Sequence, residues 1–184
     1  MVNIFEPLVD LQDKKLKSAN WYKSAASLIA DRATQTKLMR DGKLNARPSA
    51  GRMSMFIYDP KTKQKLPFYD TFPLVLPLET YSDGFLGINM HYLPIPLRIR
   101  LLDRLVDFSN DTDFDEATRL IVEYKKVKNI RLVKPTIHKY LAGQVKSQFR
   151  RIDADEFMIA TLLPVQRFKK STAKAVWSDS RSMV

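Results

Sequence analysis

Along residues 11–40 the apolar positions Leu16, Trp21, Leu28 and Ile29 recur at roughly helical spacing, with Lys and Ser between them. Ala25, Ala26 and Ala30 favour the same state, so one or two helices are expected here. Asp41-Gly42 ends the periodic stretch, and the polar connection from Lys43 to Ala50 holds Pro48. Between Gly51 and Leu93 the pattern shortens to β. Met53 to Tyr58, Phe72 to Leu78 and Phe85 to Met90 read as strands, separated by the turns Asp59 to Lys63 and Asp83-Gly84. Short strands with close turns predict a small antiparallel sheet or partly open barrel of SH3-like size.

The most hydrophobic part of that segment, LPFYDTFPLVLPL from Leu66 to Leu78, is interrupted by Pro67, Pro73 and Pro77. Proline removes a ladder donor and fixes φ, so it belongs at edges, ends or bulges. The expected arrangement is a short strand Leu74-Val75-Leu76 with Pro73 and Pro77 at its two ends, guarding an exposed edge.

Past Leu93 the period returns to that of a helix. Pro94 and Pro96 suit a first turn, Leu97, Leu101, Leu102, Leu105 and Phe108 trace an apolar face, and Arg98, Arg100 and Arg104 are expected outward. Asp113 can cap a second helix carrying Phe114, Ala117, Leu120, Ile121 and Tyr124 inward, and Pro135 opens a third through Tyr140, Leu141 and Val145. Asp153 and Glu156 have capping-box spacing for a fourth, Phe157 to Leu163, closed by Pro164. The fold class is therefore α+β, with four expected parts. Residues 1–50 form an N-terminal helical arm and linker, 51–93 a β-barrel-like unit, 94–168 a helical subdomain and 169–184 a basic tail anchored by Trp177. The first arm either docks on a neighbour or folds back on its own domain.

Composition narrows the function. The 184 residues are 45% hydrophobic, enough for one core, and no apolar run reaches the ~18 residues of a membrane span. The start MVNIFEPLVDLQDKK has no cationic n-region or apolar h-region, so a soluble protein without a membrane partner is expected. Cysteine is absent, which excludes thiolate chemistry and disulfides, and two histidines are too few for a histidine-rich metal site. The formal charge of +11 attracts polyanions: nucleic acid, acidic membrane surfaces or acidic protein faces. Basic clusters occur at Lys125, Lys126 and Lys128, at Arg150 and Arg151, and at Lys169 and Lys170.

No catalytic signature stands out. GxxxxGK[ST], GxGxxG, HExxH and a nucleophile elbow are missing. Asp111, Asp113 and Asp115 start like an EF-hand, but Glu116 replaces its glycine and Val122 its final glutamate, so helix capping explains them better. His91 reads as a structural hydrogen-bonding histidine, without a partner identifiable by spacing, and His138 as a surface residue on a helix. Phe56, Tyr58, Phe68, Tyr69, Phe72, Tyr81, Phe85 and Tyr92, beside Lys61, Lys63 and Lys65, fit either a base-stacking platform or, more simply, the core of a small sheet. No enzyme activity and no cofactor are expected.

The patterns G-x-M-x-x-F-x-Y-D-P-K, LP-[FY]-Y-D-x-FPL and GF-x-G-[IL]-N-x-HYLP run from Gly51 to Pro94. With LRIRLLDRL, Tyr140-Leu141 and Leu163 to Phe168, they resemble a family of small proteins of large, mostly contractile-tailed bacteriophages, over most of residues 20–180. The resemblance implies viral origin and a place in the virion, most simply in the tail or baseplate, or in the neck. The expected partners are then other phage structural proteins, with the chain a possible homo-oligomer in a symmetric assembly built in the host cytoplasm. The expected contact residues are Trp21 and Tyr22 in the first arm and Lys169, Lys170 and Trp177 in the last. The alternative is a nucleic-acid-binding protein acting in packaging or phage DNA metabolism.

Overall fold

The computed structural model describes Phe5, residues 19–107, 120–153 and 156–184. The expected capped helix from Asp113 and the Asp111 to Glu116 acids lie outside these residues, apart from the helix's last positions from Leu120.

The first helices among the described residues are α1 (Ala19–Ala30) and α2 (Gln35–Asp41), the second capped by Thr34, whose hydroxyl accepts from Lys37 N at 3.3 Å. The arm folds back: Ala25, Ala26, Ile29 and Leu38 are buried in the main core, and Trp21 and Tyr22 pack against it. Gly42 then passes so close to the Arg150 side chain that a Cβ would collide with it, which is why the helix-stopping residue has no side chain.

The strands are β1 (Leu44–Asn45), β2 (Ser54–Met55), β3 (Tyr69–Asp70), β4 (Leu74–Tyr81), β5 (Gly84–Asn89), β6 (Ile137–Leu141), β7 (Phe149–Arg151) and β8 (Phe168–Lys169). Six of them make one antiparallel sheet in the order β1-β7-β2-β4-β5-β6, and β3 with β8 forms a separate ribbon. The fold is α+β, as expected. Among the described residues the sheet is open, ending at β1 and β6, and the expected SH3-like barrel is not seen to close.

The proline-rich strand also differs from expectation. β4 lies inside the sheet, between β2 and β5, and it runs on past Pro77 to Tyr81. Its hydrophobicity reflects burial on both faces: Leu74, Leu76 and Leu78 enter the main core, while Val75 enters a second cluster behind the sheet. Pro77 is accommodated where the β4–β5 register shifts between Pro77 and Glu79, and its carbonyl accepts from Gly51 N at 2.9 Å. The missing donor falls at a bulge, so no exposed edge is being guarded.

The remaining helices are α3 (Ile95–Asp107), α4 (Tyr124–Val127), α5 (Phe157–Leu162) and α6 (Ala173–Met183). At the start of α5, Glu156 reaches back to accept from Asp153 N at 3.0 Å, as the capping-box spacing predicts. The helix expected from Pro135 is instead a 3₁₀ segment, Arg131–Thr136, followed by β6, which pairs with β5 from Ile137↔Ile88 to Leu141↔Gly84. Tyr140, Leu141 and Val145 fit helical spacing, but Ile137-His138-Lys139-Tyr140-Leu141 also alternates in two faces, and the open edge of β5 selects the strand.

Arg98 reverses another expectation, for it is fully buried. It sits three, four and seven positions before Leu101, Leu102 and Leu105, hence on their face of α3. There it donates to the carbonyls of Leu93, Thr161 and Leu163 at 2.7, 3.3 and 3.3 Å and to Gln166 Oε1 at 3.2 Å, satisfying the open end of α5. Burial lowers its pKa to about 9, which still leaves it a cation at neutral pH.

Candidate nucleic-acid interface

A polyanion-binding surface needs cations that are not already neutralised. Many are: Lys43 and Arg151 pair with Asp153, Lys63 with Asp59, Lys139 with Asp83, and Lys125 and Lys126 with Glu123. Arg150 is buried, donating to Leu38 O at 3.1 Å and Arg151 O at 2.8 Å, with its guanidinium 4.8 Å from the Phe5 ring centroid. Arg150 is therefore spent inside the fold, whereas Lys125 and Lys126, both exposed, share the single carboxylate of Glu123.

The surface around the β3–β8 ribbon is different. Tyr69 pairs with Lys169 and Asp70 with Phe168, and the turn Pro60 to Leu66 lies alongside. What holds that turn is Lys170, at φ 65°, whose ammonium donates to the carbonyls of Lys63, Gln64 and Leu66 at 2.7, 3.0 and 3.0 Å. A left-handed lysine is unfavourable by about 1 kcal/mol or more, and three charge-assisted hydrogen bonds offset it. With its three donors occupied, Lys170 organises the turn. Lys61, Lys65, Arg167 and Lys169 remain exposed and have no carboxylate partner among the described residues.

Behind these cations lie rings. Tyr92 packs against Phe168 at 5.3 Å between centroids, Phe68 at 6.0 Å and His138 at 4.1 Å. A cavity of about 230 Å³ opens here, walled by Tyr58, Tyr69, Tyr92, His138 and Tyr140, with Lys61 and Lys139 on its rim. His138 corrects the sequence expectation of a helical surface residue. It stands on β6, half-buried, with Nε2 enclosed and without a hydrogen-bond partner among the described residues. Burial lowers its pKa to about 4, only partly offset by a hydrogen bond to the Pro135 backbone, so the ring is neutral at physiological pH.

Asp70 borders the same cavity, yet its charge is turned inward. Oδ1 accepts from Phe72 N at 3.0 Å and Arg167 N at 3.1 Å; Oδ2 takes His91 Nδ1 at 2.7 Å and Asn89 Nδ2 at 3.4 Å. Burial pushes this carboxyl up, but His91 and the two backbone donors outweigh it and hold it below the usual carboxylate range. Burial in turn depresses His91, with Asp70 opposing, so we assign a neutral imidazole donating through Nδ1 to an ionised carboxylate. The structural role read for His91 matches this arrangement. Its partner Asp70, twenty-one residues earlier, was invisible to spacing because packing of the separate β3–β8 ribbon against the 3₁₀ turn Met90–Tyr92 brings them together.

Of the other expected contact residues, Trp177 is half-buried, its indole N–H donating to His91 O at 2.9 Å and its ring 5.6 Å from the Arg98 guanidinium. Trp21 and Tyr22 touch each other edge to face at 5.1 Å on the core-facing side of α1. The structure brings Lys169 and Lys170 to the ribbon but leaves Trp21 and Tyr22 elsewhere. Sequence reasoning missed Lys61 and Lys65 as partners of Lys169, and a long-range ribbon leaves no local signal.

Among the described residues no group of three or more His, Asp or Glu side chains could hold a metal, and no helix is long and apolar enough to cross a membrane. Over residues 2–180 the chain matches a family model described as phage T4 terminal DNA protecting protein. No curated protein and no solved structure matches. The family match bears out the resemblance to a contractile-tailed phage family and overturns the expected tail or baseplate role in favour of the nucleic-acid alternative. The fold explains the error, since the helices at both ends that looked like assembly arms pack onto the chain's own body.

Proposed function

The chain belongs to the family of the phage T4 terminal DNA protecting protein, and from that premise we propose that it binds the ends of linear DNA and shields them without catalysis. The observation that supports a DNA-facing surface is the exposed set Lys61, Lys65, Arg167 and Lys169 gathered around the ribbon, next to aromatic walls. Phosphate neutralisation supplies sequence-independent affinity, and ring faces supply contacts that every base can use. Such chemistry suits a terminus, where the last base is accessible and the sequence need not be read.

The test is digestion of linear duplex by a processive exonuclease with protein at saturation. The expected result is that digestion from the ends stalls, and that covalently closed circular DNA in equal mass fails to relieve the block. Ends degraded at the rate of bare DNA would overturn the reading.

A further inference from the structure

We propose that the cavity beside β3 receives one unpaired nucleobase at a DNA terminus, so that the protein grips a frayed end in preference to a flat one. This rests on the end-binding reading above and specifies the ligand of that same surface. Three observations carry it.

The first is size. The cavity of about 230 Å³ is smaller than the roughly 300–1,000 Å³ of sites for drug-sized ligands, which suits a single planar ring system and excludes a base pair. The second is wall chemistry. Tyr69, Tyr92, Tyr140 and His138 line the space, and His138 is neutral, so the slot offers ring faces, with the buried carboxylate of Asp70 beside them. The hydroxyl oxygens of Tyr58 and Tyr140 accept from Leu141 N and Asn89 Nδ2 at 3.2 and 3.1 Å, so the walls supply ring faces for stacking, with the hydroxyl protons and His138 Nε2 as the polar atoms beside them. The third is the charge at the mouth. Lys61 lies on the rim, Lys65 one residue before the lining Leu66, and Lys169 across from Tyr69, where the phosphates flanking an inserted base would pass. Of the carboxylates nearby, Asp70 turns both oxygens towards internal donors, and Asp59 and Asp83 are each paired with a lysine, Lys63 and Lys139.

The test uses the full chain and three duplexes of one sequence: both ends closed by hairpin loops, both ends blunt, and both ends with the last two pairs mismatched. Opening a stacked step is what a blunt end must do first, so the mismatched duplex should bind roughly tenfold tighter than the blunt one. Thr62→Trp, an exposed position on the slot's lip, should erase that difference while leaving the unfolding midpoint unchanged. Equal affinity for mismatched and blunt ends, both above the closed duplex, overturns the slot and leaves end binding standing. A preference that survives Thr62→Trp also overturns it. Equal affinity for all three duplexes overturns the end-binding reading as well.

Discussion

Two sets of aromatic rings meet at Tyr140 and do opposite things. Behind the sheet, Phe56, Tyr58, Phe85, Tyr140 and Phe149 form a buried cluster with Val75, from which Tyr58 and Tyr140 also reach the cavity wall. Phe56 is its hub, with ring centroids at 4.9 Å from Phe149, 5.3 Å from Tyr140 and 5.7 Å from Phe85. Beside the ribbon, half-buried Tyr69 and buried Tyr92 line the cavity, Phe68 and Phe168 pack against Tyr92, and Lys61 stands at the rim. Residue types and sequence neighbourhood are the same in both. What differs is whether a second strand or a cavity lies over the ring, so tertiary placement decides between core and binding surface.

Substitutions separate the two sets. Phe56→Ala empties the hub of a buried cluster and should lower stability by about 3–5 kcal/mol in urea unfolding, with DNA binding lost only through unfolding. Tyr69→Ala removes a half-buried ring at the slot and should weaken DNA binding by about 1–3 kcal/mol while the urea midpoint moves far less. Reversed outcomes would erase the distinction.

Acid gives a smaller, graded effect. The folded-state pKa of His138, about 4, lies below the ~6.5 of an unfolded histidine, so protons bind the unfolded chain more readily. The associated stability is fully present above pH ~6.5 and declines as pH falls towards 4. His91, shifted in the same direction, adds to that decline, while the Asp70 contribution persists until the acid range below ordinary carboxylates. A urea-midpoint titration should show this limb, and His138→Phe should flatten it.

Local grammar made much of the fold readable. The α+β class, the β4–β5 hairpin, α3 and the Asp153–Glu156 box all follow from periodicity and caps that act over a few residues. The misreadings share a cause: each involves a partner far along the chain. Pro77 looked like an edge marker because β2 and β5 cannot be seen as flanking strands from Leu66 to Leu78 alone. Arg150 stood out only as half of a basic cluster with Arg151, and its burial against Leu38 O and Gly42 comes from residues over a hundred positions earlier. At the site, Lys169 and Lys170 were conspicuous as a pair, yet nothing local says that one is spent on the carbonyls of residues 63–66 and the other left exposed.

DNA binding at this surface depends most on Lys61, Lys65 and Lys169 meeting phosphate. Replacing all three by Gln and measuring affinity for a linear duplex between 50 and 200 mM salt tests it directly, each lost contact removing about one unit from the slope of log K against log salt. The slope should become shallower by about three at an unchanged unfolding midpoint. A folded triple variant with wild-type affinity and slope would contradict that dependence.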